Sequence, residues 1–538
     1  MKTDILILGA GASGLTAAIA ARKSGASVTI IEKSNKLGGT AAISGGIIWV
    51  PNNPLMAELG LSDSANEGMA YFKSLDNGDI NEALLETFLN ESPNVLKTLM
   101  DDGALQVSIL EGYPDYYIDR PGAKPEGGRA MDNDLFSFKD LGDWSDKIYS
   151  SPDIPRLMLR ETPLGGASGF IEPEEFVRRE KADERGWGQA MVARLLKTCL
   201  ELGVDIQLGT AAKSLTPEEA GWRVDTLNSN KAESIHTKSV ILATGGFEWD
   251  KQLRQTFLRG PMTAPASPPT NQGDGLKLAI SVGASLGNMT NSWWVPTLSI
   301  PGDKWQDSSQ RSLPVLIERT LPHSIMVNQN GNRFCNEANN YSALAGAFQA
   351  FDPATYSYPN LPAILIFDHQ YRSKYPIASL MPGTDNPNWL MTAPSIEALA
   401  EILKVDSKTL STTISQFNIN AKNAEDPEFG RGESTYDHFY GDRSRDGALA
   451  TLGTLSEPPF YAVKLYMGTL GTNGGAQTDA KTRVLNVNGE VITGLYAAGN
   501  VMAGATGSIY AGAGGTLGPA LTFGYVAGQE AATKSRAL

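Results

Sequence analysis

An apolar run at Ile5–Leu8 ends in Gly9-Ala-Gly11-Ala-Ser-Gly14. An alanine-rich stretch follows over Leu15–Arg22, and a second β-branched run at Ser27–Ile31 closes on Glu32. Strand, glycine turn, helix, strand and acid, in that order, leave little choice of fold. This is the G-x-G-x-x-G dinucleotide fingerprint in the context its chemistry needs. Gly9 permits the tight turn, Gly11 lets a pyrophosphate approach the backbone, and Gly14 lets the helix pack on the strand. The N–H groups of Ala12 and Ser13 open the helix and face the phosphates. Glu32 stands where an acid is expected, about 20 residues on, to hold a ribose hydroxyl, and Lys33 follows it. The uncharged stretch Ile5–Ala21 also fits the core of a signal peptide, but such a core has no reason to continue into Val28-Thr-Ile-Ile-Glu32.

The next segment, Lys36-Leu-Gly-Gly39-Thr40-Ala41-Ala-Ile-Ser44-Gly45-Gly46, has too many small residues for a helix or strand interior. It suits backbone laid against a flat, charged ligand. Two later strands end in similar turns. Ser239–Phe247 runs into Thr244-Gly245-Gly, and Gly494-Leu-Tyr-Ala-Ala runs into Gly499-Asn500. Ala212, after the strand-like Val204–Leu208, and Gly515 and Leu517, in the final glycine-rich stretch, complete the expected cofactor contacts.

Composition removes other classes. The net charge is −14 with no basic cluster, which excludes a nucleic-acid partner. Cys199 and Cys335 are the only cysteines, so neither a disulfide framework nor a cysteine metal or iron–sulfur site is available, and a reducing, cytoplasmic setting is expected. The four histidines (His236, His323, His369, His438) show no metal-ligand spacing, so no metal is expected and proton chemistry falls to other side chains. Residues 491–529 carry no charge, but glycines and Pro519 break the stretch, so it does not read as a membrane span.

The organisation follows from where the glycine turns lie. They occur at both ends of the chain, while aromatics, prolines and short strands such as Ser324–Val327 and Ala363–Phe367 fill the middle. The expected fold is α/β, a Rossmann-like dinucleotide-binding domain at residues 1–296 and 466–538 with an inserted α+β domain at 297–465. Ser64–Met100 reads as two amphipathic helices, with apolar residues at helical spacing over Asn81–Leu89 and Val95–Met100. Residues from about 112 to 185 read as a long irregular region. Val484–Val491 reads as a hairpin turning at Asn488-Gly489.

The turn motif, the acid and the LGGT–SGG run together resemble flavoproteins of the fumarate reductase/succinate dehydrogenase superfamily, which bind FAD. The Ala-Thr-Gly-Gly strand ending resembles the strand that closes the FAD domain of the same group, and Arg333-Phe-Cys-Asn-Glu337 resembles its capping domain, which implies a Rossmann-like FAD-binding domain at 1–296 and 466–538 and an α+β capping, catalytic domain at 297–465. Its covalent members attach the flavin to a histidine near the second glycine run. None is present here, so FAD is expected to be non-covalent. Closer still, Tyr510-Ala-Gly-Ala-Gly514 with Thr-Leu-Gly-Pro-Ala, Trp49-Val-Pro-Asn, and Pro-Asp-Tyr116 resemble the 3-ketosteroid dehydrogenases, above all the 1-dehydrogenases. The resemblance covers most of the chain as ordered motifs and weakens over about 130–185 and 345–450. It implies a 1,2-dehydrogenation of 3-ketosteroids. Tyr341 would abstract the C2 proton, supported by Tyr116, with Tyr117 as the alternative. Tyr510 and the Gly514 N–H would polarise the 3-keto oxygen, and the C1 hydride would pass to flavin N5.

That division of labour makes chemical sense. Two donors stabilise the enolate as it forms. A free phenol, with a pKa of ~10, needs a hydrogen-bonded partner to serve as base. A 3-ketosteroid 4-dehydrogenase acting on 5α-steroids and a fumarate reductase-like enzyme are the competing readings. The second needs arginine and histidine groups that the uncharged surroundings of Tyr510 do not supply. The electron acceptor is open, with a quinone or an artificial dye suited to the role. Peripheral membrane contact is compatible with so lipophilic a substrate, with Trp293–Trp294 as the contributing pair.

Overall fold

A computed structural model describes residues 2–151 and 156–537. The amino-terminal nucleus forms where the sequence places it, as β1 (Lys2–Leu8), α1 (Ala12–Lys23) and β2 (Val28–Ile31). Leu15, Ala17, Ala18, Ile19 and Ala21 of α1 are fully buried. A Cβ on Gly14 would run into the Gly9 carbonyl, so the helix can start this close to its strand only with glycine there.

Two units emerge. The first comprises residues 1–259, 267–292 and 471–538, the second 260–266 and 293–470. The divisions fall at Ser292/Trp293 and Leu470/Gly471 rather than at 296/297 and 465/466. Both lie inside strands, Ser292–Leu298 and Phe460–Thr472, where composition changes too gradually to mark a boundary.

The main sheet of the first unit is parallel through its middle and antiparallel at its margins. Strand Asp205–Gln207 pairs with β2, β2 with β1, β1 with β3 (Lys231–Leu242) and β3 with β4 (Val491–Ala497). The register runs Thr29↔Leu6↔Val240↔Leu495 across the middle. Arg483–Leu485 adds an antiparallel edge to β4 through the expected hairpin, with Gly489 at φ 80° in its turn. The final helix, α2 (Leu517–Ala537), packs on α1 through small residues of both. Among the described residues no helix is long and apolar enough to cross a membrane.

The two helices expected over Ser64–Met100 form as Ala65–Leu75 and Glu82–Asp101, and the second continues through Pro93. The hydrogen bond that proline removes is outweighed by burial on both sides of it, at Leu84, Leu85, Phe88, Leu96 and Leu99. The region from 112 to 185, of which 152–155 lie outside the described residues, is not wholly irregular. It holds the buried strand Gly127–Asn133, central in a three-stranded sheet, and the helix Pro173–Ala182. Gly127-Gly-Arg is poor strand sequence, which hid that strand.

The second unit is a six-stranded, mainly antiparallel sheet in which Ser324–Val327, Ala363–Phe367 and Phe460–Thr472 are successive neighbours. Helices Ile396–Leu403 and Ser407–Lys422 cover it, with Ile325, Ile364, Leu399, Ile414 and Phe417 in the shared core. Trp293 and Trp294 are 5% and 3% exposed. They are interior side chains and do not contribute to a membrane contact.

Candidate active site

The turns singled out in the sequence follow the carboxyl ends of adjacent parallel strands: Gly9–Gly14 after β1, Glu32 and Lys33 after β2, Thr244 and Gly245 after β3, Gly499 and Asn500 after β4. Ligands of open α/β sheets bind at this edge. Glu32 is held by two backbone donors, Ala10 N–H at 3.0 Å and Ser34 N–H at 2.9 Å. Thr210 N–H donates to its carbonyl at 2.8 Å, which brings the strand carrying Ala212 to the same end. Lys33 is paired with Asp274. In the second glycine run, Ser44 Oγ donates to the Ala41 carbonyl at 2.8 Å and accepts from Gly46 N–H at 3.1 Å.

These residues fit an FAD. Among the described residues nothing accepts from the N–H groups of Gly11, Ala12 and Ser13. A Cβ on Gly11 would meet no atom nearer than 4.0 Å, so the space before that helix end is open. Thr244 Oγ1 is buried without a partner among the described residues. Buried polar groups left unpaired within the chain mark where a ligand's polar atoms belong.

The glycine loop before α2 carries Tyr510 and Gly514. Tyr510 stacks on Tyr116, with ring centroids 5.5 Å apart and 26° between planes. Of the two adjacent tyrosines, Tyr116 is the buried one, at 3% exposure, while Tyr117 is half-buried. Gly514 has φ 95°, and a Cβ there would lie 2.6 Å from the Ile47 carbonyl oxygen, so only glycine fits. Gly514 is buried, and among the described residues nothing accepts from its N–H.

Tyr71 and Asp63, which the sequence did not single out, help hold this pair in place. The Tyr71 hydroxyl donates to the Ala511 carbonyl at 2.8 Å and accepts from Tyr117 N–H at 3.1 Å, while Tyr116 N–H reaches the same Ala511 carbonyl at 3.0 Å. Tyr71 thus ties the two segments that carry the stacked rings. Beneath them, Asp115 accepts from Trp49 Nε1 at 2.8 Å and from Arg129 at 2.8 Å, and Arg129 binds Asp63 through two bonds of 2.7 Å. Burial pushes the Asp115 carboxyl above its ordinary range, against the pull of Arg129. Burial acts the same way on Asp63, but there the Arg129 bonds and charge outweigh it and hold the carboxyl low.

Tyr341 belongs to the second unit, 6% exposed, in the turn before the helix Leu344–Phe348. Its segment is pinned by charge. Arg333 bonds Glu337 at 2.9 and 2.7 Å and Asp426 at 2.8 Å, and Arg431 reaches Glu337 at 3.2 Å. Burial alone would raise Glu337; the two guanidiniums hold it at about 2. Arg319 donates to the carbonyls of Glu337 and, at 2.7 Å, Asn339, two residues before Tyr341. The Arg-Phe-x-Asn-Glu pattern is therefore a brace for the tyrosine-bearing loop.

Comparison with known proteins agrees with this architecture. The family model described as "FAD binding domain" matches residues 4–517. A 4-oxocyclohexanecarboxylate 2-dehydrogenase of Sinomonas cyclohexanicum is 37% identical over 98% of this chain and 92% of its own length. A 3-oxosteroid 1-dehydrogenase of Mycolicibacterium smegmatis is 34% identical over 99% of this chain and 98% of its own length. The crystal structure of 3-ketosteroid delta1-dehydrogenase from Sterolibacterium denitrificans in complex with 1,4-androstadiene-3,17-dione superposes with a TM-score of 0.89 at 34% identity, over 99% of this chain and 100% of that one. The chain belongs to the FAD-binding flavoprotein family that includes the 3-oxosteroid 1-dehydrogenases.

Proposed function

We propose that the protein is an FAD-dependent dehydrogenase that converts 3-keto-4-ene steroids to 3-keto-1,4-dienes. The observation that carries this reading is the loop in which Tyr510 stacks on Tyr116 and the buried Gly514 N–H is left without an acceptor among the described residues. The Tyr510 O–H and Gly514 N–H donate to the 3-keto oxygen and stabilise negative charge as it develops there. Tyr341 takes the C2 proton. Tyr116 is assigned the supporting role for that base, as the resemblance to the 3-ketosteroid dehydrogenases implies. FAD, when bound, supplies the acceptor for the C1 hydride. Gly9–Gly14 and Glu32 hold the cofactor's pyrophosphate and ribose, and the LGGT–SGG run, Ala212, Thr244, Gly245, Gly499, Asn500, Gly515 and Leu517 complete its cradle. A quinone, or a dye in the assay, regenerates the oxidised cofactor. The buried free thiols Cys199 and Cys335 suit the cytoplasm.

A second reading is favoured by the 37% identical relative, whose name gives a 4-oxocyclohexanecarboxylate as substrate. The keto clamp and base would serve it unchanged. Purified holoenzyme with a dye acceptor, offered 4-androstene-3,17-dione and 4-oxocyclohexanecarboxylate separately, decides between them. The steroid product should be two mass units lighter with new C1–C2 vinyl signals by NMR. Turnover of the carboxylate alone would replace the steroid reading.

The cofactor is held without a covalent bond. No histidine lies near the second glycine run, and the first unit's His236 is an exposed partner of Glu218 at 2.8 Å. Acid precipitation should leave a yellow supernatant and a colourless pellet. Flavin retained in the pellet would refute the assignment.

A further inference from the structure

Glu248 is fully buried just past the β3 turn, in a position the proposed chemistry does not use. Its carboxylate accepts from Ser267 Oγ at 2.6 Å, Asn271 Nδ2 at 2.7 Å and Thr472 N–H at 3.3 Å. Trp249 Nε1 donates to Ser267 Oγ at 3.2 Å, so the serine proton is left for Glu248. Asn271 Nδ2 also donates to Thr40 Oγ1 at 2.9 Å. Both amide hydrogens of Asn271 are then committed, one of them to the same Glu248 oxygen that accepts from Ser267; burial raises the Glu248 carboxyl, against the pull of these donors.

The consequence falls on Thr40, in the second glycine run. Its oxygen accepts from Asn271, and its own proton has no acceptor among the described residues. We propose that Glu248, through Asn271, sets the hydrogen-bond polarity of Thr40, so that the threonine hydroxyl is presented to the flavin as a donor. Glu248 is a positioning residue. It fixes which way a hydrogen bond points two side chains away, and ties together the β3 turn, the Asn271 segment and the LGGT run. The inference rests on the FAD assignment and adds the sense of one of its contacts.

Glu248→Gln keeps the shape but turns one acceptor oxygen into a donor. Asn271 can then turn its own oxygen towards Thr40 and draw the threonine proton back. The test is FAD binding to apoenzyme, followed by flavin fluorescence and the visible spectrum, for wild type, T40V, E248Q and T40V/E248Q. Each single variant should bind FAD about tenfold more weakly, the scale of one hydrogen bond. The double variant should bind no more weakly than T40V, because the two changes remove the same interaction. E248Q with wild-type affinity and spectrum would overturn the proposal, as would a double variant whose loss is the product of the single losses. Should E248Q fail to fold, N271A with T40V reads the same coupling under the same criteria. Wild-type apoenzyme that does not bind FAD would instead overturn the cofactor assignment.

Discussion

Tyr341→Phe is expected to lower turnover of a 3-keto-4-ene steroid by ~10²–10⁴, the range over which a positioned base contributes. Flavin content should be unchanged, since the residues assigned to the cofactor all lie in the first unit and Tyr341 lies in the second. The substitution removes one oxygen from a side chain 6% exposed, in a loop that Arg333, Arg431 and Arg319 already brace, so the loop should keep its course. Turnover alone would not separate a lost base from a disturbed pocket. Exchange of the C2 hydrogens into deuterated water does, because it needs only proton removal and return. Wild type should exchange C2, and Tyr341→Phe should slow exchange as strongly as turnover. A variant that keeps near-normal turnover and exchange with its flavin bound would show that the base lies elsewhere, with Tyr116 or Tyr117 next in line.

The parts of the site that were legible in the sequence are those whose physics is local. Gly9–Gly14 had to be a turn entering a helix, and Glu32 had to follow the next strand, because each residue's role depends on neighbours a few positions away. The same holds for Asn488-Gly489, which makes its hairpin. What holds the tyrosines in place is not local. Tyr71 meets the Ala511 carbonyl across 440 positions, and Arg129 meets Asp63 across 66. Nothing in Met69-Ala-Tyr71-Phe72 distinguishes a structural strut from an ordinary buried aromatic. Arg333 and Glu337 share a motif, but Asp426, which completes their pairing, is 93 residues further on. Glu248 follows a recognisable turn, yet its partners come from two other segments, around Ser267–Asn271 and at Thr472. Gly127-Gly misled for the opposite reason: local propensity was overruled by burial.

Tyr510→Phe should cost about 3 kcal/mol of transition-state stabilisation, or ~10²–10³ in turnover, the usual loss when one donor leaves an oxyanion site. The partner donor cannot be tested as cleanly. Any side chain at Gly514 would take a left-handed backbone and press on the Ile47 carbonyl, so Gly514→Ala would mix strain with lost chemistry. Tyr510→Phe has neither defect. The ring stays stacked on Tyr116, Tyr71 and Tyr116 still hold the Ala511 carbonyl, and the flavin contacts assigned to Gly515 and Leu517 are untouched. Steroid affinity should fall only modestly, because the ground-state ketone carries little of the charge that the donor stabilises. The expected signature is therefore a large loss in kcat with a small change in substrate Kd and a full complement of flavin. C2 exchange should also slow, since the enolate that Tyr510 stabilises forms in that step. A variant with wild-type kcat would mean that the Tyr510 hydroxyl only fills space beside Tyr116, and the keto clamp would have to be sought among other donors.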